Sequence, residues 1–393
     1  MQIESLLLIM AVVWGTGMIF HRLKLPIFLG ELLAGLVFGP ALFGVFQDNE
    51  TIRVLSELGI FFLMLHAGLE TNPQDLLHSS KKTLAIATGG MILPFLFGYG
   101  VAHAFGYAPI TAVFIGVSLS ITAVAVTTKI FKDFKYNKSN TAHTVMGAAI
   151  ISDIAAFLML SIILGIVENG GSISFLAILW LIGKVILFFG GVVLAGTKLI
   201  PIFSKVFSDK GYKAFTFTLI LALAFGVFAE QIGLHYILGA YIAGLFVKEE
   251  IVHPDVYKKI EDRLFGLSYS FLGPIFFVSL GFHVDFGVFK DPTVLPFLVV
   301  IIVVAIIGKI AGAGGMAFLA GEKSHESWVI GTSMNGRGAV ELILAVIGLK
   351  VGIIDETVFS VLVFMAFFTT LMTPVTLKYL LKSLGKEEVL DTE

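Results

Sequence analysis

The feature that most restricts this chain is a succession of apolar runs, each long enough to cross a bilayer and almost free of charge, parted by short polar connections. A spanning helix needs about 17 to 25 mostly apolar residues. Runs of that kind read at roughly 4–20, 26–45, 53–70, 83–104, 109–130, 142–167, 174–197, 214–231, 234–248, 263–283, 293–319, 327–350 and 356–381, thirteen in all, the ninth being the shortest. With 57% hydrophobic and 14% charged residues among 393, the chain cannot be an ordinary soluble domain. The expected fold is an all-α membrane protein of about thirteen transmembrane helices. No basic region precedes the first run and no small-residue cleavage pattern follows it, so it is expected to remain as a span. The chain has no cysteine, which excludes disulfides and thiolate metal sites.

Charge placement supplies the orientation. Alternate connections are basic: 21–24, 81–82, 129–138, 198–213, 248–259, Lys323, and the tail from Lys378 to Lys386. The others, such as 47–50, 167–172 and 285–291, are poor in lysine and arginine. By the positive-inside rule this predicts a multi-pass protein of the cell membrane with its N-terminus outside and its C-terminus cytoplasmic, which an odd number of spans requires. A net charge of -2 points to no nucleic-acid partner.

An internal repeat runs through the spans. Gly30-Glu31-Leu32-Leu33-Ala34-Gly35-Leu36 recurs as Gly239-Ala240-Tyr241-Ile242-Ala243-Gly244-Leu245. Leu58-Gly59-Ile60-Phe61-Phe62, running to Glu70, recurs as Gly273-Pro274-Ile275-Phe276-Phe277, running to Asp285. Gly116-Val117-Ser118 recurs as Gly331-Thr332-Ser333. Each pair lies seven spans apart, so the copies cross in opposite directions. Inverted repeats of this kind let secondary transporters build two alternative openings around one central site.

The fifth and twelfth spans carry polar interruptions at matching positions, Ser118-Leu119-Ser120-Ile121-Thr122 and Ser333-Met334-Asn335-Gly336-Arg337-Gly338. Unpaired backbone is tolerated at membrane depth only inside protein or along a wet cavity. The pair predicts two broken helices that cross near the midplane, with half-helix ends offering carbonyls to a cation and positive ends to an acid. The alternative for Ser118 and Thr122 is that their hydroxyls bond back to their own helix.

Ionisable residues within spans are costly and mark function. Asp153 is the only ionised group from Thr144 to Val167. A carboxylate at that depth costs about 2.5 to 3.5 kcal/mol, and a bound cation, a basic partner or a proton must offset it. An acid that switches among these is the working part of a cation/proton exchanger. Lys309, central in the eleventh span, reads as a positive partner for that site or as a salt bridge between helices. Glu31 reads as a packing acid bonded to a hydroxyl, Arg337 and Glu341 as an i,i+4 pair, and His66, His235 and His283 as interfacial residues near span ends. No His/Asp/Glu cluster has metal-ligand spacing, and no Walker-type phosphate loop is present, which argues against a resident metal or an ATP-driven pump. No cofactor is expected beyond the transported Na+ or K+ and H+, and no enzyme activity. A cation channel and a sodium-coupled solute symporter are the rival classes. Saturable counterflow would separate the first, and a solute pocket would mark the second.

The runs GELLAGLVFGP, LGIFFLMLHAGLE and GAAIISDIAAF, with GKIAGAGG around Lys309 and NGRGAVELILA, make the chain resemble the monovalent cation:proton antiporter-2 family, from about Leu6 to Lys382. That family includes NapA-type sodium/proton antiporters and the membrane part of Kef-type potassium efflux systems. The resemblance implies a homodimer, with a dimerisation scaffold at about 4–70 and 214–285, a moving core at 83–167 and 293–381, a linker helix at 174–197 and a short tail at 383–393. It implies cation and proton binding at Asp153, with Ser152, Thr122 and Ser120 beside it, charge compensation by Lys309, and a broken-helix motif of Asn335, Arg337 and Glu341. Where NapA-type members have a first aspartate this chain has Ser152, and Kef-type members have glutamine. The single acid implies electroneutral one-for-one exchange, and a separate cytoplasmic regulatory subunit is compatible with it.

Overall fold

A computed structural model describes residues 2–70, 81–122, 127, 128, 130, 131, 134–136, 138–168, 183, 184, 187, 188, 211–247 and 254–384. The expected linker span lies, apart from 183, 184, 187 and 188, outside the described residues. The same holds for the basic connections at 198–210 and 248–253 and for the tail beyond residue 384.

Among the described residues the fold is entirely helical. In order these are α1 (Gln2–Arg22), α2 (Ile27–Phe38), α3 (Glu50–Glu70), α4 (Lys81–Ala104), α5 (Pro109–Ser120), α6 (Asn140–Glu168), α7 (Gly211–Gln231) and α8 (Tyr236–Phe246). There follow α9 (Pro254–Leu267), α10 (Gly273–Phe282), α11 (Val294–Lys309), α12 (Gly315–Leu319), α13 (Ser324–Ser333), α14 (Ala339–Lys350) and α15 (Glu356–Leu384). One π turn, Ser268–Leu272, joins α9 to α10, and another, Ile310–Gly314, joins α11 to α12. Eight of these rods are long and apolar enough to cross a membrane. Three shorter apolar helices, Ile27–Phe38, Pro109–Ser120 and Tyr236–Phe246, fall at the second, fifth and ninth expected spans. The twelfth expected span is divided into α13 and α14. The chain is thus an all-helical, multi-pass membrane protein.

The chain forms two compact units. The first comprises Met1–Thr16, Glu31–Pro73 and Ser161–Phe282. One of its cores packs Ile9, Val13, Ala34, Phe46, Ile52, Ile275 and Val278 together. The second unit comprises Gly17–Gly30, Gln74–Leu160 and His283–Glu393. Its core joins Ile86 and Ala87 of α4, Ala148 and Ala149 of α6, Ala313, and Val329 and Ile330 of α13.

The sequence repeat reappears as a repeat of packing. In the first unit a Cβ on Gly35 of α2 would collide with the Val278 carbonyl of α10, and one on Gly244 of α8 with the Leu65 carbonyl of α3. Gly35 and Gly244 are repeat mates, as are α3 and α10, so the same contact is made twice with the copies exchanged. In the second unit a Cβ on Gly116 of α5 would stand 2.8 Å from the Phe95 carbonyl of α4, and one on its mate Gly331 of α13 would stand 2.8 Å from the Ile310 carbonyl that follows α11. The fourth and eleventh spans meet each other through Gly89 and Gly312. Missing Cβ atoms let these backbones approach, which is how helices associate where lipid removes the hydrophobic drive between them.

Candidate functional site: a buried charge cluster at two helix breaks

Helix α5 stops where the polar run was expected to interrupt it. Ile121 turns extended at φ −72°, ψ 149°, and its N–H still bonds the Ser118 carbonyl. The later helix stops at Ser333 and restarts at Ala339. Each break is satisfied by the other. Arg337, in the second break, donates from Nη1 to the Ser118 and Ile121 carbonyls at 3.0 and 2.9 Å. Thr127, beyond the first break, donates from Oγ1 to the Ser333 carbonyl at 2.8 Å. Carbonyls orphaned at the end of a half-helix thus find donors without water, as membrane depth demands.

Two further side chains hold the breaks in place. Ser120 Oγ lies 2.9 Å from both the Met91 carbonyl of α4 and the Gly116 carbonyl of its own helix. Thr370 of α15 accepts from the Arg337 N–H at 3.2 Å and donates to the Arg337 carbonyl at 3.1 Å. Sequence reasoning missed Thr127 and Thr370. For Thr370 the available signal was a cluster of hydroxyls, Thr369, Thr370 and Thr373, inside an otherwise apolar helix.

Lys309 is fully buried and is the last residue of α11 before the glycine-rich π turn. Such turns redirect side chains and gather at functional sites. Its ammonium donates to the Ser120 carbonyl and to Thr122 Oγ1, the latter at 2.6 Å. Carbonyls expected to face a transported cation therefore face resident cations: Ser118 and Ile121 meet Arg337, and Ser120 meets Lys309. Thr122 and Ser120, expected beside Asp153 as ligands, hold the lysine. The back-bonding alternative for Ser118 and Thr122 is not met: Thr122 Oγ1 accepts from Lys309, and Ser118 Oγ has no hydrogen-bond partner among the described residues.

Asp153 projects from the middle of α6 on a face shared with Ala149 and Ala156, and only 8% of it is exposed. Its Oδ1 is buried with no hydrogen-bond partner among the described residues. Lys309 lies within electrostatic reach of it, and also of Arg337 and Glu341. Ser152 is buried beside it and donates its hydroxyl proton to the Ala148 carbonyl at 3.0 Å. Arg337 and Glu341 form the expected pair, Nη1 to Oε2, at 3.5 Å, with both side chains almost fully buried. Asn335, between the half-helices, is buried with Oδ1 unpartnered among the described residues. Among the described residues the second unit thus buries the acids Asp153 and Glu341 and the bases Lys309 and Arg337.

The other intramembrane candidates lie elsewhere. Glu31 is buried in the first unit near Tyr269, and no hydroxyl of a described residue bonds it, unlike the expectation. His66, expected at an interface, is also buried there, because α3 runs on to Glu70 and Phe265 and Tyr269 cover the ring. Its Nδ1 stands 3.8 Å from the Glu70 carboxylate. His235 caps α8, accepting from the Ile237 N–H at 3.4 Å, and the His283 ring stands edge-on to Phe359.

An all-helical membrane protein with reciprocal helix breaks around a buried acid and lysine is a polytopic ion-transport protein by class. The sequence profile described as "Sodium/hydrogen exchanger, transmembrane" matches residues 7–383, and the chain belongs to that family. It is 32% identical over 360 residues to the Na(+)/H(+)-K(+) antiporter GerN of Bacillus cereus, spanning 91% of this chain and 90% of that protein. It is 30% identical over 367 residues to a Na(+)/H(+) antiporter of Enterococcus hirae, spanning 93% and 94%. In fold it is similar to the sodium proton antiporter MjNhaP1 of Methanocaldococcus jannaschii, solved at pH 8, with a TM-score of 0.74 at 19% identity over 97% of this chain and 98% of that one.

Proposed function

We propose that this protein exchanges a monovalent cation, Na+ or K+, for H+ by alternating access, with Asp153 as the shared binding site. The observation that carries the reading is the Asp153 carboxylate itself, buried in a spanning helix with one oxygen unpartnered and a buried lysine within electrostatic reach. The relatives named as Na+/H+ and Na+/H+-K+ antiporters support the choice of substrates.

Competition at one acid accounts for coupling. Asp153 takes either a proton or a partly dehydrated cation, with Ser152 Oγ as a neutral second ligand. An empty carboxylate keeps its charge and resists passage through an apolar barrier. A proton or a monovalent cation cancels the single negative charge of the Asp153 carboxylate equally, so the acid is compensated in both loaded forms. The two loaded forms are then electrically alike, which favours one-for-one, electroneutral exchange. The unit carrying Asp153 is the moving core, the other the scaffold and dimerisation surface, with the N-terminus outside and the C-terminus cytoplasmic.

The test is dequenching of a pH dye in proteoliposomes on addition of Na+, K+, Li+ or Rb+, at clamped voltages. Exchange that is saturable, independent of potential and absent in a folded Asp153→Asn variant is expected. A fully active Asp153→Asn protein refutes the site, and a rate or end-point that follows voltage refutes electroneutrality.

A further inference from the structure

We propose that the second unit binds a phospholipid in the groove between α11 and α15, with one acyl chain along the groove and the headgroup phosphate at Lys290. The groove encloses about 790 Å³, runs from Leu295 to Ile306 on α11 and from Phe364 to Val375 on α15, and is lined by apolar side chains alone. Each edge is about 16 Å long at about 1.5 Å per residue. That is one leaflet's share of a hydrocarbon core about 30 Å thick.

Size and chemistry select the occupant. A wall made only of hydrocarbon offers water no partner, and its atoms gain dispersion contacts only from something equally apolar. Leu295, Val299, Phe368 and Val375 are left 47–62% exposed by the protein itself. The volume lies within the range of about 300 to 1,000 Å³ that pockets for small molecules occupy. A spanning helix, about 10 Å wide and about 30 Å long, cannot enter such a space and would only bridge its rims. The dimerisation surface proposed above, moreover, belongs to the other unit. A single acyl chain fits both the length and the lining.

Charge at the mouth supplies the anchor. The 3₁₀ turn Phe286–Lys290, just before α11, turns Phe286 and Phe289 into the groove, where their rings meet Phe364 edge-on at 5.8 and 5.2 Å. The same turn ends on Lys290, which is exposed and which no hydrogen bond or ion pair engages among the described residues. The acids on either side are committed to caps: Asp285 accepts from the Gly287 N–H at 2.6 Å, and Asp291 accepts from the Thr293 N–H and hydroxyl at 2.8 and 2.7 Å. Lys290 is therefore the charge at this end that is open to a phosphate, which an ammonium holds as a point charge. With the orientation proposed above, this mouth faces outside and the lipid belongs to the outer leaflet. Neither the chemistry at Asp153 nor the helix breaks require such a site.

The test is native mass spectrometry of the full chain released from mixed micelles, titrated with palmitoyl-oleoyl phosphatidylglycerol. Saturable binding of one lipid per chain is expected. Val299→Trp and Met372→Trp each place a ring in the groove and should raise the half-saturating lipid concentration by about tenfold or more. Ile307→Trp is the control, since Ile307 is 52% exposed on the same helix but does not line the groove, and it should leave binding unchanged. Lys290→Gln should raise the half-saturating concentration by about threefold or more. Dihexanoyl phosphatidylglycerol has the same headgroup on short chains and should compete poorly. Unaltered binding in both groove variants, or losses matched by Ile307→Trp, overturns the groove, and unaltered binding in Lys290→Gln overturns the anchor. Loss of a dimer rather than of lipid in the groove variants would make this face a subunit interface and end the proposal. If neither groove variant folds, the wild-type protein decides, because competition by the short-chain lipid as strong as by the long-chain one overturns the acyl site. Asp153→Asn should bind lipid as the wild type does, so failure of the exchange reading and failure of the lipid site are read separately.

Discussion

Replacing Thr370 by valine removes an oxygen while preserving shape, so it isolates what that oxygen contributes. Thr370 is fully buried, and its Oγ1 is both acceptor from the Arg337 N–H at 3.2 Å and donor to the Arg337 carbonyl at 3.1 Å. Leaving a buried donor or acceptor unsatisfied costs about 1 to 3 kcal/mol in water-soluble proteins. Interhelical bonds within membranes average about 0.6 and reach about 1.7 kcal/mol, because the unfolded state in lipid also finds partners. Two such bonds, with no cavity term for a near-isosteric change, give about 1 to 3 kcal/mol. Thr369→Val is the internal control: Thr369 is equally buried, but among the described residues its hydroxyl bonds only to carbonyls of its own helix, those of Met365 and Ala366. Reversible denaturation in mixed micelles, followed by circular dichroism, should find Thr370→Val destabilised in that range and Thr369→Val destabilised by clearly less. Equal losses would refute the claim that Thr370 ties the second break to α15.

Four other outcomes are expected. Because proton and cation share Asp153, lowering the pH on the cation side should raise the half-saturating cation concentration and leave the maximal rate unchanged, as measured by initial-rate dequenching. Gly68→Ala should destabilise the protein strongly in micelle denaturation, since the new methyl would overlap the Tyr241 carbonyl, whereas Gly100→Ala, with nothing within 4 Å, should be neutral or slightly stabilising. Lys309→Met should leave the Ser120 carbonyl and Thr122 hydroxyl without their donor and abolish exchange in proteoliposomes, while the protein still elutes as a folded species. Outside the spans, the Thr293 N–H and hydroxyl donate to Asp291 and hold its carboxyl below the ordinary 3.8, so this cap is present above that value and is lost as pH falls further through the folded-state pKa. Amide exchange at Thr293 should therefore accelerate only on strong acidification.

Much of the architecture was legible along the chain because lipid imposes it. A backbone that cannot find water must be helical, so run length gives the spans, and a carboxylate such as Asp153 among apolar neighbours announces itself by its cost. The small residues shared by the two repeat copies, Gly35 with Gly244 and Gly116 with Gly331, also carried their meaning locally: they lie where backbones touch. The partners of the helix breaks were not legible. The resemblance placed Ser120 and Thr122 beside Asp153, but that Lys309 bonds Thr122 and Arg337 bonds Ser118 only the placement of the helices showed. His66 misled for the same reason, since its distance from the end of a run says nothing about whether Tyr269 covers it.

The sequence alone determined that this chain crosses the membrane many times, in two related halves, with a costly acid, Asp153, inside one span. Those facts follow from local quantities: apolar length, charge per segment, and a repeated order of small residues. The tertiary structure decided which cation caps which broken helix, because Arg337 and Ser118 are 219 positions apart and Lys309 and Thr122 are 187 apart. Contacts over such separations depend on how helices stack, and no local pattern encodes them.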